Sequence, residues 1–557
     1  MKETKWWQNT AVYQIYPKSF NDTTGSGTGD LRGITEKLDY LKELGAGALW
    51  LTPVYPSPMV DNGYDISDYT GINPAFGTLS DMEELIAEAK QRDIRIVMDL
   101  VYNHSSDQHP WFIESKSSRT NPKHDWYIWR DGKEDGSAPT NWRGIFGGSA
   151  WTYCPERGQY YLHTFAEAQP DLNWENPEVR AALFAAANFW LDKGVGGFRI
   201  DAITYIKKPA VFVDGTPDGA DGMVSIHAMT VNTPGILDFL HEFRREVFDR
   251  HDIFTVGEAN GVSVSELSDW VGENGVFSML FEFSHVLVQY EDEECWSKMV
   301  PWKLTKLKQA LSASQASVAR EGWYPIYFEN HDRARSVNYF FPHGGDTRLA
   351  AKALATVLLT LRGTPFIYEG EELGMTNVCW ESIDDYDDIS SHGQYELALK
   401  EGFSPAEAMR FVHFNSRDNA RTPMQWDDTA HAGFTTGTPW LKAGKSYPEI
   451  NVENEIQGPI FTFYQKLIAL RKELPIIAEG SYRPVYEDSQ QVYAFERQLG
   501  DERLLVLNNF YPDPITIDIL PEYQNGEVLL SNYEETQTAE VVTLRPYESL
   551  AIIVNKH

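Results

Sequence analysis

Eight short, nearly uninterrupted apolar runs recur between residues 11 and 372: "AVYQIYP" (11–17), "ALWLTPVY" (48–55), "RIVMDLVYN" (95–103), "GGFRIDAI" (196–203), "DIFTVGE" (252–258), "FSMLFEF" (277–283), "PIYFENH" (325–331) and "TPFIYEGEE" (364–372). Stretches with helical apolar spacing lie between several of them. "GITEKLDYLKELG" (33–45) sets Ile34, Leu38, Leu41 and Leu44 on one face, and "LSDMEELIAEAKQRD" (79–93) and "ALFAAANFWLDKG" (182–194) behave alike. Continuous apolar strands joined by helices predict a parallel sheet buried on both faces. Eight of them predict an α/β chain built on a closed (β/α)₈ barrel.

The rhythm breaks after Asn103. Residues 104–172 are irregular and rich in Trp, Gly, Ser, Asn and Pro, which predicts an inserted subdomain after the third strand. From about residue 480 short alternating runs such as "VYAFERQL", "RLLVLNNF" and "ESLAIIVN" predict an antiparallel β domain. The expected organisation is therefore a barrel over 1–103 and 173–479, a subdomain over 104–172 and a β domain over 480–557.

In such a barrel, functional groups stand at the C-terminal ends of strands. Four runs end in polar residues: Asn103 and His104, Arg199 and Asp201, Glu258, and His331 and Asp332. Any one has a bland explanation. A lone histidine is most often an ordinary buried one, Arg199 and Asp201 could be a structural ion pair, and Glu258 could be a helix cap. Together they suggest acid–base chemistry on a sugar, where one acid protonates the leaving oxygen and a second carboxylate meets the oxocarbenium-like transition state. Arg199 sits two residues before Asp201, on the same face, where it would keep that carboxylate ionised.

Charge narrows the partners. There are 81 acidic residues against 48 basic ones, a net −33, which disfavours nucleic acid. The short acidic runs 291–294 and 384–388 are expected in solvated loops. Three scattered cysteines, without a CxxC pair, suit a reducing compartment rather than a disulfide framework or zinc site. The first residues lack an apolar signal core and no run approaches a membrane span, so a cytoplasmic protein is expected. Aromatics at 13% could provide stacking faces for sugars, although core packing explains most of them.

The same segments resemble a known family. "DLVYNH" (99–104), "GFRIDA" (197–202), "VGEAN" (256–260) and "ENHD" (329–332) match the four signature regions of the α-amylase family of glycoside hydrolases (family 13). "QPDLNW" (169–174) matches a fifth region as written in its oligo-1,6-glucosidase and α-glucosidase branch. "VDNGYDISDY" (60–69), "GTPFIYEGEELGMTN" (363–377) and "RDNARTPMQWD" (417–427) extend the match over most of the chain.

The resemblance implies a retaining mechanism with Asp201 as nucleophile, Glu258 as general acid/base and Asp332 holding ring hydroxyls. It places His104 and His331 on the same glucose, with Arg199 beside the nucleophile and Asp99 as a structural support. Tyr64 would stack on the sugar, and Phe165 and Gln169 would line the pocket. Asp61 with Arg417, or Arg421 as second choice, would close the site behind the non-reducing end, which implies exo action on small oligosaccharides; separately, a monomer is expected.

Two departures from the family matter. Calcium-binding relatives carry a loop resembling D-x-N-x-D-G-x-G-D, whereas "DTTGSGTGD" (22–30) keeps only Asp22 and Asp30 as carboxylates. No cofactor is required, and the departure disfavours a calcium ion at the Asp22–Asp30 loop without excluding one. Second, enzymes that cleave α-1,6 bonds typically carry valine after the nucleophile, where this chain has Ala202. Asn260 in the "GEAN" form and Ser390 in place of an acceptor-side glutamate point the same way. The expectation is an α-1,4-glucosidase with transglucosylation. Oligo-1,6-glucosidase, sucrose isomerase and trehalose-6-phosphate hydrolase are the alternatives, while a transporter-binding subunit and a starch-binding module do not fit.

Overall fold

The computed structural model describes residues 5–219, 221–290, 295–319, 322–534, 536 and 538–555; the acidic run 291–294 lies outside them. Eight strands share one parallel sheet: β1 (Val12–Ile15), β2 (Ala48–Leu51), β3 (Arg95–Val101), β4 (Gly197–Asp201), β5 (Phe254–Glu258), β6 (Met279–Phe281), β7 (Pro325–Ile326) and β8 (Thr364–Tyr368). Their order is β6-β5-β4-β3-β2-β1-β8-β7, so every neighbour around a ring is paired except β6 with β7. This is the expected (β/α)₈ barrel, nearly closed. Each of the eight predicted runs supplies one strand, and the strands are buried on both faces as the continuous apolar pattern requires.

Local chemistry sets the boundaries between strands and helices. Helix Leu31–Glu36 starts where the Asp30 carboxylate accepts the Gly33 N–H, and helix Leu38–Leu44 stops at Gly45, whose φ of 100° suits only glycine well. Helix Pro177–Asp192 opens with Asn176 as cap and proline at its first position. Gly197 opens β4 because a Cβ there would stand 2.2 Å from the Phe254 carbonyl oxygen on β5. The parallel strands could not approach so closely with any other residue.

The chain divides into two compact units. One comprises Trp50–Gln91 and Arg95–Glu282. Within it a three-stranded antiparallel sheet (129–130, 159–162 and 151–154) forms part of the segment inserted after β3. Its core of Ile128, Trp142, Trp151 and Leu162 also takes in Val224 and Ile226, and Trp142–Arg143 pairs with Val224–Ser225. The loop after β4 thus folds onto the insertion.

The other unit comprises Met1–Leu49, Arg92–Ile94 and Phe283–His557. It ends in a five-stranded antiparallel sheet in the order 481–485, 492–499, 502–509, 549–554 and 527–531. Alternating inward residues such as Val492, Ala494, Leu505, Leu507, Leu550 and Ile552 build its core. Ser481–Val485 and Val541–Leu544 are strands that the alternation did not predict.

Candidate active site

Strand register assembles the first group of charges. Asp99 on β3 pairs in register with Arg199 on β4, and Val101 with Asp201. On the other side Val256 and Gly257 of β5 pair with Arg199 and Ile200, which brings Glu258 level with Asp201. Arg199 therefore lies among three carboxylates. Its Nη1 donates to Asp99 Oδ1 at 2.8 Å, Asp99 Oδ2 at 2.9 Å and Asp201 Oδ1 at 2.7 Å, and its Nη2 donates to Glu258 Oε2 at 2.7 Å. Burial opposes the guanidinium charge, but Asp99 and Glu258, then Tyr64 and Asp201, outweigh it and raise its pKa well above the usual range. Arg199 stays charged at any working pH.

The partners of this group are fixed in turn. Asp99 also accepts Trp50 Nε1 at 3.3 Å and the Tyr64 hydroxyl at 3.0 Å, so it is fully engaged beneath the site. Glu258 Oε2 accepts the Ala202 N–H at 3.0 Å. Ala202 adopts the left-handed region (φ 43°), which turns the chain sharply just after Asp201. Asn260 is half-buried in the turn that follows Glu258.

His104, Gln169, Asp61 and Phe165 form a second cluster in the same unit. Gln169 Oε1 accepts the Ala166 N–H, and its Nε2 lies 3.1 Å from both Asp61 Oδ2 and His104 Nε2. His104 Nδ1 faces the Asn103 amide nitrogen at 3.3 Å and Nε2 faces the Tyr64 carbonyl at 3.1 Å. Asn103 donates to Nδ1, so the ring proton belongs on Nε2 and points to that carbonyl. Burial pushes the His104 pKa down to about 4, which leaves the ring neutral near pH 7. The Phe165 ring packs 5.2 Å from His104.

The other unit carries His331, Asp332, Arg417 and Arg421. Gln14 on β1 meets His331 Nδ1 at 2.8 Å, and the Tyr16 ring stacks on the imidazole at 6.2 Å. With Nδ1 accepting from the glutamine, Nε2 carries the proton and donates to Asp332 Oδ2 at 3.0 Å. Asp332 Oδ1 accepts both Arg417 Nη1 at 3.2 Å and Arg421 Nη2 at 2.8 Å. Burial pushes the Asp332 carboxyl up, but His331, Arg417 and Arg421 prevail and hold it well below the usual range. Both candidate arginines thus engage the same carboxylate. Arg421 is the more buried and also donates Nε to the His331 carbonyl at 2.9 Å.

One expectation needs correction. The 384–388 run is not wholly a solvated loop: Asp384 and Asp387 are exposed, but Asp388 is buried and accepts Arg417 Nε and Nη2 at 2.9 and 2.6 Å. Composition alone made it look like its neighbours. Its pairing partner lies 29 residues away, beyond any local pattern.

The Asp22–Asp30 loop is closed by its own chain. Asp22 accepts the N–H groups of Thr24, Gly25 and Gly27 and the Thr435 hydroxyl, while Asp30 accepts from Thr23 and Gly33. Among the described residues no group of three or more His, Cys, Asp or Glu is arranged to hold a metal ion. Likewise, no described helix is long and apolar enough to cross a membrane. The three cysteines are unpaired.

The "Alpha amylase, catalytic domain" family model matches residues 14–480. The chain belongs to the α-amylase family. The "Alpha-amylase SusG C-terminal domain" model matches residues 492–551 of this family member. An oligo-1,6-glucosidase of Parageobacillus thermoglucosidasius is 46% identical over 556 residues, covering 98% of each chain. A trehalose-6-phosphate hydrolase of Bacillus subtilis is 44% identical over 563 residues, covering 100% of this chain and 99% of the relative. Among solved structures, a trehalose-6-phosphate hydrolase of Bacillus licheniformis superposes with a TM-score of 0.93 at 43% identity, covering 99% of this chain and 100% of the other. The protein is a glycoside hydrolase of the α-glucosidase type.

Proposed function

We propose that this enzyme is a retaining, exo-acting α-glucosidase that releases glucose from the non-reducing end of short α-glucosides, with α-1,4 bonds preferred. The carrying observation is the single Arg199 guanidinium that bridges Asp201 and Glu258. Double displacement needs a nucleophilic carboxylate and an acid close together, with the nucleophile kept ionised. Arg199 meets the second requirement, since a buried cation at hydrogen-bond distance stabilises the charged form of Asp201.

In this mechanism Asp201 attacks the anomeric carbon while Glu258 gives its proton to the departing glycosidic oxygen. The glucosyl ester on Asp201 is then cleaved by a water whose proton returns to Glu258. A sugar hydroxyl can replace that water, which gives transglucosylation. Asp332 and His331 hold ring hydroxyls. His104 is neutral near pH 7, so it adds no second cation beside the nucleophile. Likeness to the family assigns glucose binding to Asp61, Tyr64, Phe165 and Gln169 and also to Arg417, and the unpaired cysteines support a cytoplasmic setting.

Ala202 and Asn260 support the α-1,4 preference. An alanine after the nucleophile leaves space that a valine would fill beside the scissile bond, and such a pocket wall is worth about 1–3 kcal/mol of discrimination. The relative named oligo-1,6-glucosidase favours a second reading, cleavage of α-1,6 bonds by the same machinery. The deciding experiment compares kcat/KM on maltose, isomaltose and trehalose 6-phosphate, with Glu258→Gln as control. Maltose is expected to lead, and the control is expected to lose about a hundred- to ten-thousandfold in kcat. Isomaltose or the phosphorylated disaccharide in front would overturn the linkage assignment, and an active control would overturn the mechanism.

A further inference from the structure

Asp388 plays a part that its position as a helix cap does not explain. It starts helix Ile389–Lys400 by accepting the Ser390 N–H, and capping needs only that one acceptor. Asp388 is instead only 1% exposed and bonded on every side. Oδ1 takes Nε and Nη2 of Arg417, and Oδ2 takes the Ser391 hydroxyl at 2.9 Å. Its backbone is held as well, because Asp418 Oδ2 accepts the N–H groups of Asp387 at 2.7 Å and Asp388 at 3.0 Å. Ser391 is tied to the Ser416 hydroxyl at 2.8 Å, next to Arg417 in sequence.

The consequence falls on Arg417. An arginine side chain turns about several bonds, and one contact with Asp332 would leave its plane undefined. Attachment of Nε and Nη2 to a buried carboxylate fixes that plane and directs Nη1 at Asp332 Oδ1. A lysine could supply the charge but not the two-point attachment.

We propose that Asp388 is a positioning residue for substrate binding, holding the Arg417 guanidinium in the orientation that serves Asp332 and acting on the substrate only through Arg417. This rests on the assignment of Asp332 and Arg417 to the glucosyl site. It predicts a defect in KM rather than in kcat, since no reacting atom is touched.

The test is steady-state kinetics on p-nitrophenyl α-D-glucoside, which does not depend on linkage preference. The variants are Asp388→Asn, Asp388→Ser, Arg417→Ala, Arg417→Lys and the double variant Asp388→Asn/Arg417→Ala. Asn and Ser can both cap the helix, so a capping role alone predicts wild-type KM for both and would overturn the proposal. The expected result is a KM raised roughly tenfold or more in each, from loss of a charge-assisted pair, with kcat nearly unchanged. The double variant should be no worse than Arg417→Ala alone, and additive losses would show that Asp388 acts independently.

If the Asp388 variants do not fold, Arg417→Lys carries the test: it should raise KM almost as far as Arg417→Ala, and a wild-type KM would refute the two-point attachment. An unchanged KM in Arg417→Ala would instead sink the glucosyl-site assignment itself. A raised KM there with a normal one in Asp388→Asn would sink only the role of Asp388.

Discussion

Arg199 shows how much one residue can be made to do. Its guanidinium is 2% exposed and meets Asp99, Asp201 and Glu258 at once, so removing it leaves three carboxylates facing one another. Arg199→Ala is expected to cost roughly 3–5 kcal/mol of stability, the usual penalty for breaking a buried pair from one side. Urea unfolding would measure it, and kcat/KM of the folded fraction should fall as well. Ala202 makes a finer test. Its left-handed backbone (φ 43°) already disfavours a β-branched side chain, so Ala202→Val should lose some stability. The informative readout is the ratio of kcat/KM on maltose to that on isomaltose, which does not depend on the active fraction. That ratio is expected to fall by about tenfold as the added methyls close the space beside the scissile bond.

At the scale of elements, the ends of strands differ most from their sequence appearance. "PIYFENH" reads as seven strand residues, yet only Pro325 and Ile326 pair in the sheet. The rest leaves the ladder and delivers His331 and Asp332, whose partners are side chains rather than neighbouring strands. Ser481–Val485 escaped notice because it contains Pro484 and few apolar residues, both suited to the edge position it occupies in its sheet.

The Asp22–Asp30 loop belongs to this scale too. Burial opposes the charge of Asp22, but the Thr435 hydroxyl and the amides of Gly27 and Thr24 outweigh it and lower its pKa. We propose that those donors hold the loop's shape without a cation. The thermal midpoint should therefore be the same before and after extended dialysis against EDTA. A drop that calcium restores would contradict this account.

For the molecule as a whole, pH acts through buried carboxyls of opposite tendency. Burial and the neighbouring Asp388 raise the Asp418 pKa to about 6, with Arg421 opposing. A folded-state pKa above the unfolded value means that the native state binds the extra proton. Its contribution is complete below the unfolded pKa, near 4, and is lost as pH rises through about 6. Against burial, His331, Arg417 and Arg421 hold Asp332 low and Arg417 and Arg421 hold Asp388 low, so both contribute in the opposite sense and lose their contribution as pH falls through their depressed values. Asp418→Asn should reduce the loss of stability between pH 4.5 and 7. Urea midpoints at the two pH values would check it, and an unchanged difference would remove Asp418 as the cause.

The sequence by itself determined the eight strands, the inserted segment, the terminal β domain and the identity of the strand-end charges. Each depends on periodicity or on residues close together in the chain, and burial forces apolar residues to show that pattern. The pairing of Arg199 with Asp201 was legible from their spacing on one strand face, but tertiary structure alone decided which distant charges meet. Arg199 reaches Asp99 across 100 residues and Asp388 reaches Arg417 across 29, because parallel register and helix packing set those distances. A carboxylate in a chain looks the same whether water or a guanidinium will surround it. Only the fold removes the water.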